Sequence, residues 1–232
     1  MNIPFSQIKG LLFDKDGTLF SFQQSWSQWA HDFISGIAPT TDLRNRLANS
    51  LGFDMVNRQF RPDSAVIAGT PEETVNAVAS IFPDKDLDTV RQDILATSSG
   101  EFQIPVAPLP PLFQTLSDRG LVMGIATNDG ESVARAHMSH FGISAYFPFT
   151  VGYDSGYGEK PGPGQMHAFL DHHQLAPDHA IMIGDSTHDL EAGRAAGMFT
   201  LGVLTGVAGH DALAPFADMV LPSIAELPDF FK

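Results

Sequence analysis

The chain contains 232 residues, 43% of them hydrophobic, which is enough to bury one α/β core and a smaller module. A formal net charge of −14 with no basic run excludes nucleic acid and anionic membrane surfaces as partners, and the absence of cysteine excludes disulfides and thiolate sites. No apolar run reaches membrane-spanning length and the N-terminus lacks a secretory pattern, so we expect a cytoplasmic protein. We also expect either a monomer or a homodimer.

The first predicted strand, residues 10–13, is an apolar run that ends in Asp14, Asp16 and Gly17. A buried strand can offer side chains to a ligand only where it emerges, at its carboxyl end. Two carboxylates separated by one residue suit phosphoryl transfer, because one can attack phosphorus or bind a metal while the other moves protons. On its own, a strand followed by an Asp-Gly turn explains the segment equally well.

The predicted α/β core is interrupted near Ser21, after its first strand. Apolar side chains then recur at helical spacing, and we expect them to form the packed face of a helix rather than a ligand platform. These residues are Trp26, Trp29, Ala30, Phe33, Ile34 and Ile37. A second helix is predicted to begin at Pro71, with Thr70 as its N-cap.

The proline-rich stretch 106–111 is interpreted as a linker that leads back to the core. The chain is therefore predicted to consist of a core formed by residues 1–20 and 106–232 and an inserted, mainly α-helical module formed by residues 21–105.

A second apolar run, residues 121–126, ends in Thr127 and Asn128. Their hydroxyl and backbone amides could hold a phosphate at the start of the next helix. Asn128 or Asp129 acting only as a helix N-cap is an equally good explanation of this run alone.

A third run, residues 180–184, is followed by Asp185 and Asp189, about one helical turn apart. Mg²⁺ prefers a few oxygen ligands together with water and phosphate oxygens, and Asp14, Asp185 and the backbone carbonyl of Asp16 would supply them. An N-capped helix with an acidic first turn also explains the run when it is taken alone.

A glycine-rich loop between the second and third runs ends at Lys160, before a helix predicted to begin near Pro163. A cation beside Asp14 would favour the ionised carboxylate and would also neutralise phosphate. Taken alone, a lysine before a proline is more often a solvated loop residue.

Together, these motifs resemble those of the haloacid dehalogenase (HAD) superfamily, specifically its phosphoglycolate phosphatase-like hydrolases. The matches are the Asp-x-Asp-Gly-Thr signature from Asp14 to Thr18, the second motif at Thr127 and Asn128, the lysine at Lys160, and Gly-Asp-x-x-x-Asp from Gly184 to Asp189. The resemblance covers residues 6–20 and 106–228. It implies an α/β fold with a Rossmann-like, doubly wound parallel sheet and an inserted α-helical cap.

The resemblance also implies a Mg²⁺-dependent phosphomonoester hydrolase that acts on a small phosphorylated metabolite through an aspartyl-phosphate intermediate. Asp14 is expected to be the nucleophile, and Asp16 the acid and base. The expected phosphate ligands are Thr127, Asn128 and Lys160, and the expected metal ligands are Asp14, Asp16 and Asp185. Asp189 is expected to support a water on the metal or to orient Lys160. The family more often has an apolar or aromatic residue where Lys15 stands. Strand alternation predicts that Lys15 points away from the phosphate, toward solvent or the surface.

Within the insert, Arg58 and Arg61 lie where the family's specificity loop would fall. A guanidinium could bind a second anionic group of the substrate, such as a carboxylate, although a solvated arginine is the simpler explanation for each.

Other functions share these motifs. A sugar phosphomutase would need the same residues, and a non-catalytic phosphate-binding module could retain them. Phosphoglycolate is the default substrate of the family that the chain resembles. Sugar phosphates and nucleoside monophosphates are alternative substrates, because the cap selects the substrate.

Overall fold

The computed structural model describes residues 3–61, 64–97 and 103–231. The chain divides into a core unit, Met1–Ser21 with Pro105–Lys232, and a cap unit, Phe22–Ile104. None of the helices in the described ranges combines the length and the apolar character needed to cross a membrane.

The core unit begins with strand β1 (Gly10–Phe13), and the cap unit begins with helix α1 (Phe22–Ile37). Trp29 and Phe33 are buried on α1, and their rings stack with centroids 5.2 Å apart. The aromatic residues of this segment therefore form a packed helix face, as their spacing predicts.

The cap unit continues with further helices and a short antiparallel hairpin. These elements are α2 (Thr41–Ser50), β2 (Phe53–Asp54), β3 (Gln59–Phe60), α3 (Ala65–Ala68), α4 (Pro71–Ala79) and α5 (Leu87–Thr97). As predicted, α4 follows Thr70, whose N–H donates to the Glu73 carboxylate at 2.8 Å. The hairpin is not predicted, because strands of two residues are too short to show an alternating pattern.

After the cap unit, helices and strands alternate along the core unit. They are α6 (Leu109–Asp118), β4 (Val122–Ala126), α7 (Glu131–His140), β5 (Phe149–Val151), α8 (Gly164–His173), β6 (Ala180–Gly184), α9 (Thr187–Ala195), β7 (Phe199–Val203), α10 (His210–Leu213) and β8 (Met219–Leu221). The interpretation of residues 106–111 as a linker is wrong at its carboxyl end, because α6 begins at Leu109. Pro110 and Pro111 fit its first turn, where backbone N–H groups have no partner within the helix.

The six core strands form one parallel sheet in the order β5-β4-β1-β6-β7-β8. Phe13 of the central strand β1 lies opposite Ile125 of β4 and Ile183 of β6. These three strands therefore end at the same edge, and the polar residues that follow them emerge together where the strand order reverses. The predicted doubly wound parallel sheet is confirmed.

Both faces of the sheet are covered. Leu11 and Phe13 belong to the hydrophobic cluster that contains Leu116 of α6, whereas Leu12 belongs to the cluster that contains Phe169 of α8. This division follows from the alternation of side chains along a strand. A strand covered on both faces is apolar along its length, which explains the uninterrupted apolar run of β1.

Replacing Leu116 by alanine should lower the free energy of unfolding by about 2–5 kcal/mol, because the fully buried side chain leaves a cavity. The matched control is Leu204→Ala in the same unit, where the side chain is 39% exposed and the expected change is below about 1 kcal/mol. Urea unfolding measures both changes, and equal losses would contradict the assignment of α6 to the core.

Candidate active site

A buried lysine joins two carboxylates at the carboxyl edge of β1. The Lys160 ammonium donates to Asp14 Oδ1 at 2.6 Å, to Asp189 Oδ1 at 2.6 Å and to the carbonyl oxygen of Ala126 at 2.8 Å. Lys160, Asp14 and Asp189 are all buried. The alternative that Lys160 is a solvated loop residue is therefore wrong.

Asn128 fixes the loop that carries Lys160. Asn128 Nδ2 donates to the carbonyl oxygen of Lys160 at 2.9 Å, and the N–H of Lys160 donates to Asn128 Oδ1 at 2.8 Å. The next helix, α7, begins at Glu131 and has Gly130 as its N-cap, so Asn128 is not a helix cap. The Asn128 side chain therefore holds the loop of Lys160, and the phosphate contact through its backbone N–H stays a prediction.

Thr127 and Gln165 connect the loops that follow β4 and β5. The buried Thr127 hydroxyl accepts from the N–H of Asp129 at 3.1 Å. Gln165, which the sequence analysis did not identify, is fully buried and donates from Nε2 to the carbonyl oxygens of Thr127 and Gly158 at 3.1 and 3.0 Å. The sequence around Gln165 does not indicate a buried residue, since a glutamine at the start of a helix is usually solvated.

Asp189 divides its two carboxylate oxygens between a helix cap and the site. Oδ1 accepts from Lys160 at 2.6 Å, while Oδ2 accepts from the N–H and the hydroxyl of Ser186 at 3.0 and 2.7 Å. Ser186 is the N-cap of α9. The capping interpretation of this motif is therefore correct, and the same residue also orients Lys160.

Asp185 is enclosed by backbone. A Cβ atom added to Gly17, where φ is +89°, or to Gly206 would overlap its carboxylate. Thr18 donates to Asp185 Oδ1 at 3.4 Å, and the hydroxyl of Thr205 donates to the carbonyl oxygen of Gly17 at 2.6 Å. The sequence analysis did not identify Gly206 or Thr205; the available signal was that β7, another apolar run, ends just before them.

Three carboxylates surround a space that could hold a cation. Among the described residues, one oxygen from each of Asp14, Asp185 and Asp189 lies within 4.8 Å of the other two. When ionised with Lys160, the group has three negative charges and one positive, a net charge of −2 that a divalent cation would balance. Hard oxygen donors suit Mg²⁺. Both oxygens of Asp189 already accept hydrogen bonds, and Asp14 and Asp185 stay the predicted ligands. The Asp16 carboxylate is not in this group, and the contribution of its backbone carbonyl stays a prediction.

Burial is the largest influence on the pKa values of Asp14 and Asp185. It raises the pKa of Asp14 to about 7, although the Lys160 ammonium acts in the opposite direction. The pKa of Asp185 is raised well above its ordinary value, first by burial and then by the charges of Asp14 and Asp189. Burial alone would lower the pKa of Lys160, but the two neighbouring carboxylates raise it. The cluster therefore lacks the positive charge needed to keep all its carboxylates ionised.

The prediction that Lys15 reaches solvent is wrong. Lys15 is fully buried, forms an ion pair with the carboxylate of Asp16 and lies 3.0 Å from Asp129 Oδ2. Strand alternation fails here because β1 ends at Phe13 and the chain enters a turn. Asp16 therefore belongs to a second charged cluster in the core unit.

The two cap arginines lie on the β2–β3 hairpin. Arg58 is exposed in the turn with φ of +50°. Arg61 follows β3, and its guanidinium donates to the side-chain and backbone oxygens of Asn49 at 3.3 and 3.1 Å. Arg61 thus stabilises the cap unit, and substrate binding by either arginine stays a prediction.

Replacing Gly206 by alanine should lower the affinity for Mg²⁺ by about 10- to 100-fold, because the added Cβ atom must displace the Asp185 carboxylate. Isothermal titration calorimetry measures this affinity. The control is Gly209→Ala, since a Cβ atom at Gly209 meets no atom within 4 Å. Unchanged affinity in Gly206→Ala would exclude Asp185 as a ligand.

Replacing Asp185 by asparagine should stabilise the metal-free protein at alkaline pH. Because the pKa of Asp185 is raised above 3.8 in the folded state, the folded protein holds more protons than the unfolded chain at pH values between the two pKa values. Its free energy of unfolding therefore falls as pH rises through that window, and the variant removes this loss.

Scanning fluorimetry in chelator should show a higher melting temperature for Asp185→Asn than for wild type at pH 8, with the difference shrinking toward pH 4. Addition of Mg²⁺ should stabilise wild type more than the variant. The control is Asp171→Asn, which changes an exposed carboxylate of α8. A wild-type protein that is the more stable of the two in chelator at pH 8 would contradict the argument.

Comparisons with known proteins agree with this geometry. Residues 11–203 match the family model for haloacid dehalogenase-like hydrolases. The chain is 30% identical over 226 residues to a phosphoglycolate phosphatase of Vibrio vulnificus, covering 96% of each chain. It is 25% identical over 223 residues to the pyrophosphatase PpaX of Bacillus pumilus, covering 96% of this chain and 95% of the relative.

A solved structure from Thermotoga maritima, named as a candidate beta-phosphoglucomutase, has the same fold. Its TM-score is 0.71 at 17% identity, covering 96% of this chain and 97% of that one. The family match spans the motifs that follow β1, β4 and β6 as well as Lys160. The chain belongs to the haloacid dehalogenase-like hydrolase family.

Proposed function

We propose that the protein is a Mg²⁺-dependent phosphomonoester hydrolase that acts on a small phosphorylated metabolite through an aspartyl-phosphate intermediate. The observation that supports this most directly is the buried Lys160 ammonium, 2.6 Å from Asp14 Oδ1 and 2.6 Å from Asp189 Oδ1. It fixes the nucleophile and also supplies a positive charge for a phosphate group.

In the first step, a carboxylate oxygen of Asp14 forms a bond to phosphorus. The bond between phosphorus and the alcohol oxygen breaks, and Asp16 gives its proton to that oxygen. The Thr127 hydroxyl, the backbone N–H of Asn128 and the Lys160 ammonium hold the phosphate oxygens. Mg²⁺ held by Asp14 and Asp185, with the backbone carbonyl of Asp16 as a further proposed ligand, would supply additional positive charge to these oxygens.

In the second step, a water molecule attacks the phosphorus of the aspartyl phosphate. Asp16, now ionised, accepts a proton from this water, and the bond between Asp14 and phosphorus breaks. Inorganic phosphate leaves, Asp14 is again a carboxylate and Asp16 is again protonated. Both aspartates thus return to their starting states.

We propose candidate substrates for this protein from the names of its relatives. 2-Phosphoglycolate is the first candidate, because the relative from Vibrio vulnificus is named a phosphoglycolate phosphatase. Pyrophosphate is included because another relative is named a pyrophosphatase. Arg58 and Arg61 are proposed as cap residues that could bind a second anionic group of the substrate.

The proposed function predicts phosphate release from a panel of phosphate compounds in the presence of Mg²⁺ and none in chelator. The panel contains 2-phosphoglycolate, hexose phosphates, nucleoside monophosphates and pyrophosphate. Transfer of a phosphoryl group between positions of a sugar without phosphate release would identify a mutase instead. Phosphate binding without turnover of any compound would identify a non-catalytic module.

Asp14→Asn should retain less than about a hundredth of the wild-type rate, because the amide cannot act as the nucleophile. Circular dichroism should show an unchanged fold. The control Asp171→Asn also removes one carboxylate from the core unit and should keep full activity. Higher residual activity in Asp14→Asn would contradict the aspartyl-phosphate mechanism.

A further inference from the structure

Lys15 is a buried charge that the steps above do not use. It lies between the proposed nucleophile and the proposed proton donor in the sequence, and its side chain is fully buried. An ammonium buried in a protein loses its hydration and is retained without large cost only when partners compensate for it. An apolar side chain of similar length would fill this space without that cost.

Three groups from different elements surround the Lys15 ammonium. It forms an ion pair with the carboxylate of Asp16, in the loop after β1. It lies 3.0 Å from Asp129 Oδ2, in the loop after β4, and 3.2 Å from His137 Nδ1 on α7. Lys15 therefore connects Asp16 to two parts of the core unit that are distant in sequence.

Both distant partners are themselves held in place. Asp129 Oδ1 accepts from the N–H of Gly130 at 2.7 Å. Burial and the charge of Lys15 lower the pKa of His137 to about 4, so its ring is neutral at neutral pH. Because an ammonium can only donate, His137 Nδ1 must accept and the ring proton must lie on Nε2. The ring also packs edge-on against Phe20, with centroids 6.2 Å apart.

This anchoring matters because proton transfer depends strongly on position. A proton donor must lie within about 2.6–3.2 Å of the oxygen that it protonates. A displacement of about 1 Å in an active site can cost about 100-fold in rate. Asp16 stands just before the turn that begins at Gly17. Lys15 contacts Asp16 Oδ2, so when Asp16 is protonated its proton lies on Oδ1 and Oδ2 continues to accept from the ammonium.

We propose that Lys15 is a positioning residue that holds the Asp16 carboxyl group in place for proton transfer, through a network anchored at Asp129 and His137. The inference rests on the proposed function, because it takes Asp16 to be the proton donor. Asp14 is held separately by Lys160. Loss of Lys15 should therefore impair protonation of the leaving group more than nucleophilic attack.

Two substrates with different leaving groups separate these effects. Benzyl phosphate releases an alkoxide that needs a proton, whereas p-nitrophenyl phosphate releases a stable phenolate that does not. The rate of the first turnover is measured for each by rapid mixing in Mg²⁺, together with steady-state KM. In Lys15→Met, the first-turnover rate for benzyl phosphate should fall about 100-fold, while that for p-nitrophenyl phosphate changes by less than about fivefold and KM by less than about threefold.

Asp129→Asn is the second variant, because it removes the anchoring charge and keeps an oxygen acceptor for Gly130. Asp129→Asn tests the role of Lys15 if Lys15→Met fails to fold. Its first-turnover rate should fall for benzyl phosphate and not for p-nitrophenyl phosphate, by a smaller factor than in Lys15→Met. Lys9→Met is the matched control, since it removes an exposed lysine just before β1 and should leave both rates unchanged. Equal losses on the two substrates, or no loss, in the folded variants would overturn the inference.

Asp16→Asn separates failure of this inference from failure of the proposed function. Selective loss on benzyl phosphate in Asp16→Asn, without selective loss in Lys15→Met and Asp129→Asn, overturns only the role of Lys15. Absence of selective loss in Asp16→Asn shows that Asp16 is not the proton donor, so it overturns the inference together with that proposed role. A wild-type protein that hydrolyses neither compound nor any member of the panel overturns the proposed function itself.

Discussion

The structure of the site depends on one ammonium group shared between two buried carboxylates. Lys160 is the charge that allows Asp14 and Asp189 to lie close together away from water. Burying a carboxylate is costly, and placing several in one space adds repulsion. Two loops of the site are accordingly tied to this lysine or to its partners: Asn128 holds the backbone of Lys160, and Ser186 holds Asp189.

The remaining negative charge explains why the site and the stability of the fold are linked. Within the described residues, Asp185 forms no ion pair like those of Asp14 and Asp189 with Lys160, and its pKa is raised by burial and by its neighbours. The folded protein without a cation therefore retains an unfavourable arrangement of charges. Carboxylates that the fold has already brought together suit the binding of a cation, and the same arrangement costs stability when no cation balances its charge.

The sequence predicts the sheet and the meeting of Asp14, Lys160 and Asp185, because parallel strands that end at one edge bring the residues after them together. Prediction from the sequence fails where a rule for one element is applied beyond the end of that element. Alternation places Lys15 outward only while the strand continues, and β1 stops at Phe13. The close approach of Gly206 to Asp185 could not be predicted, because it depends on packing between loops far apart in sequence.

The order of the strands also has a consequence for synthesis of the chain. In the part of the chain that the structure describes, β1 pairs with β4 and β6, and β4 begins at Val122. The cap unit lies between these strands in the sequence, so it is synthesised while β1 still has no strand to pair with. During this interval an apolar segment is exposed to other chains, and such exposure favours aggregation. Chaperone binding to the nascent N-terminal segment would protect it until the middle of the sheet has emerged from the ribosome.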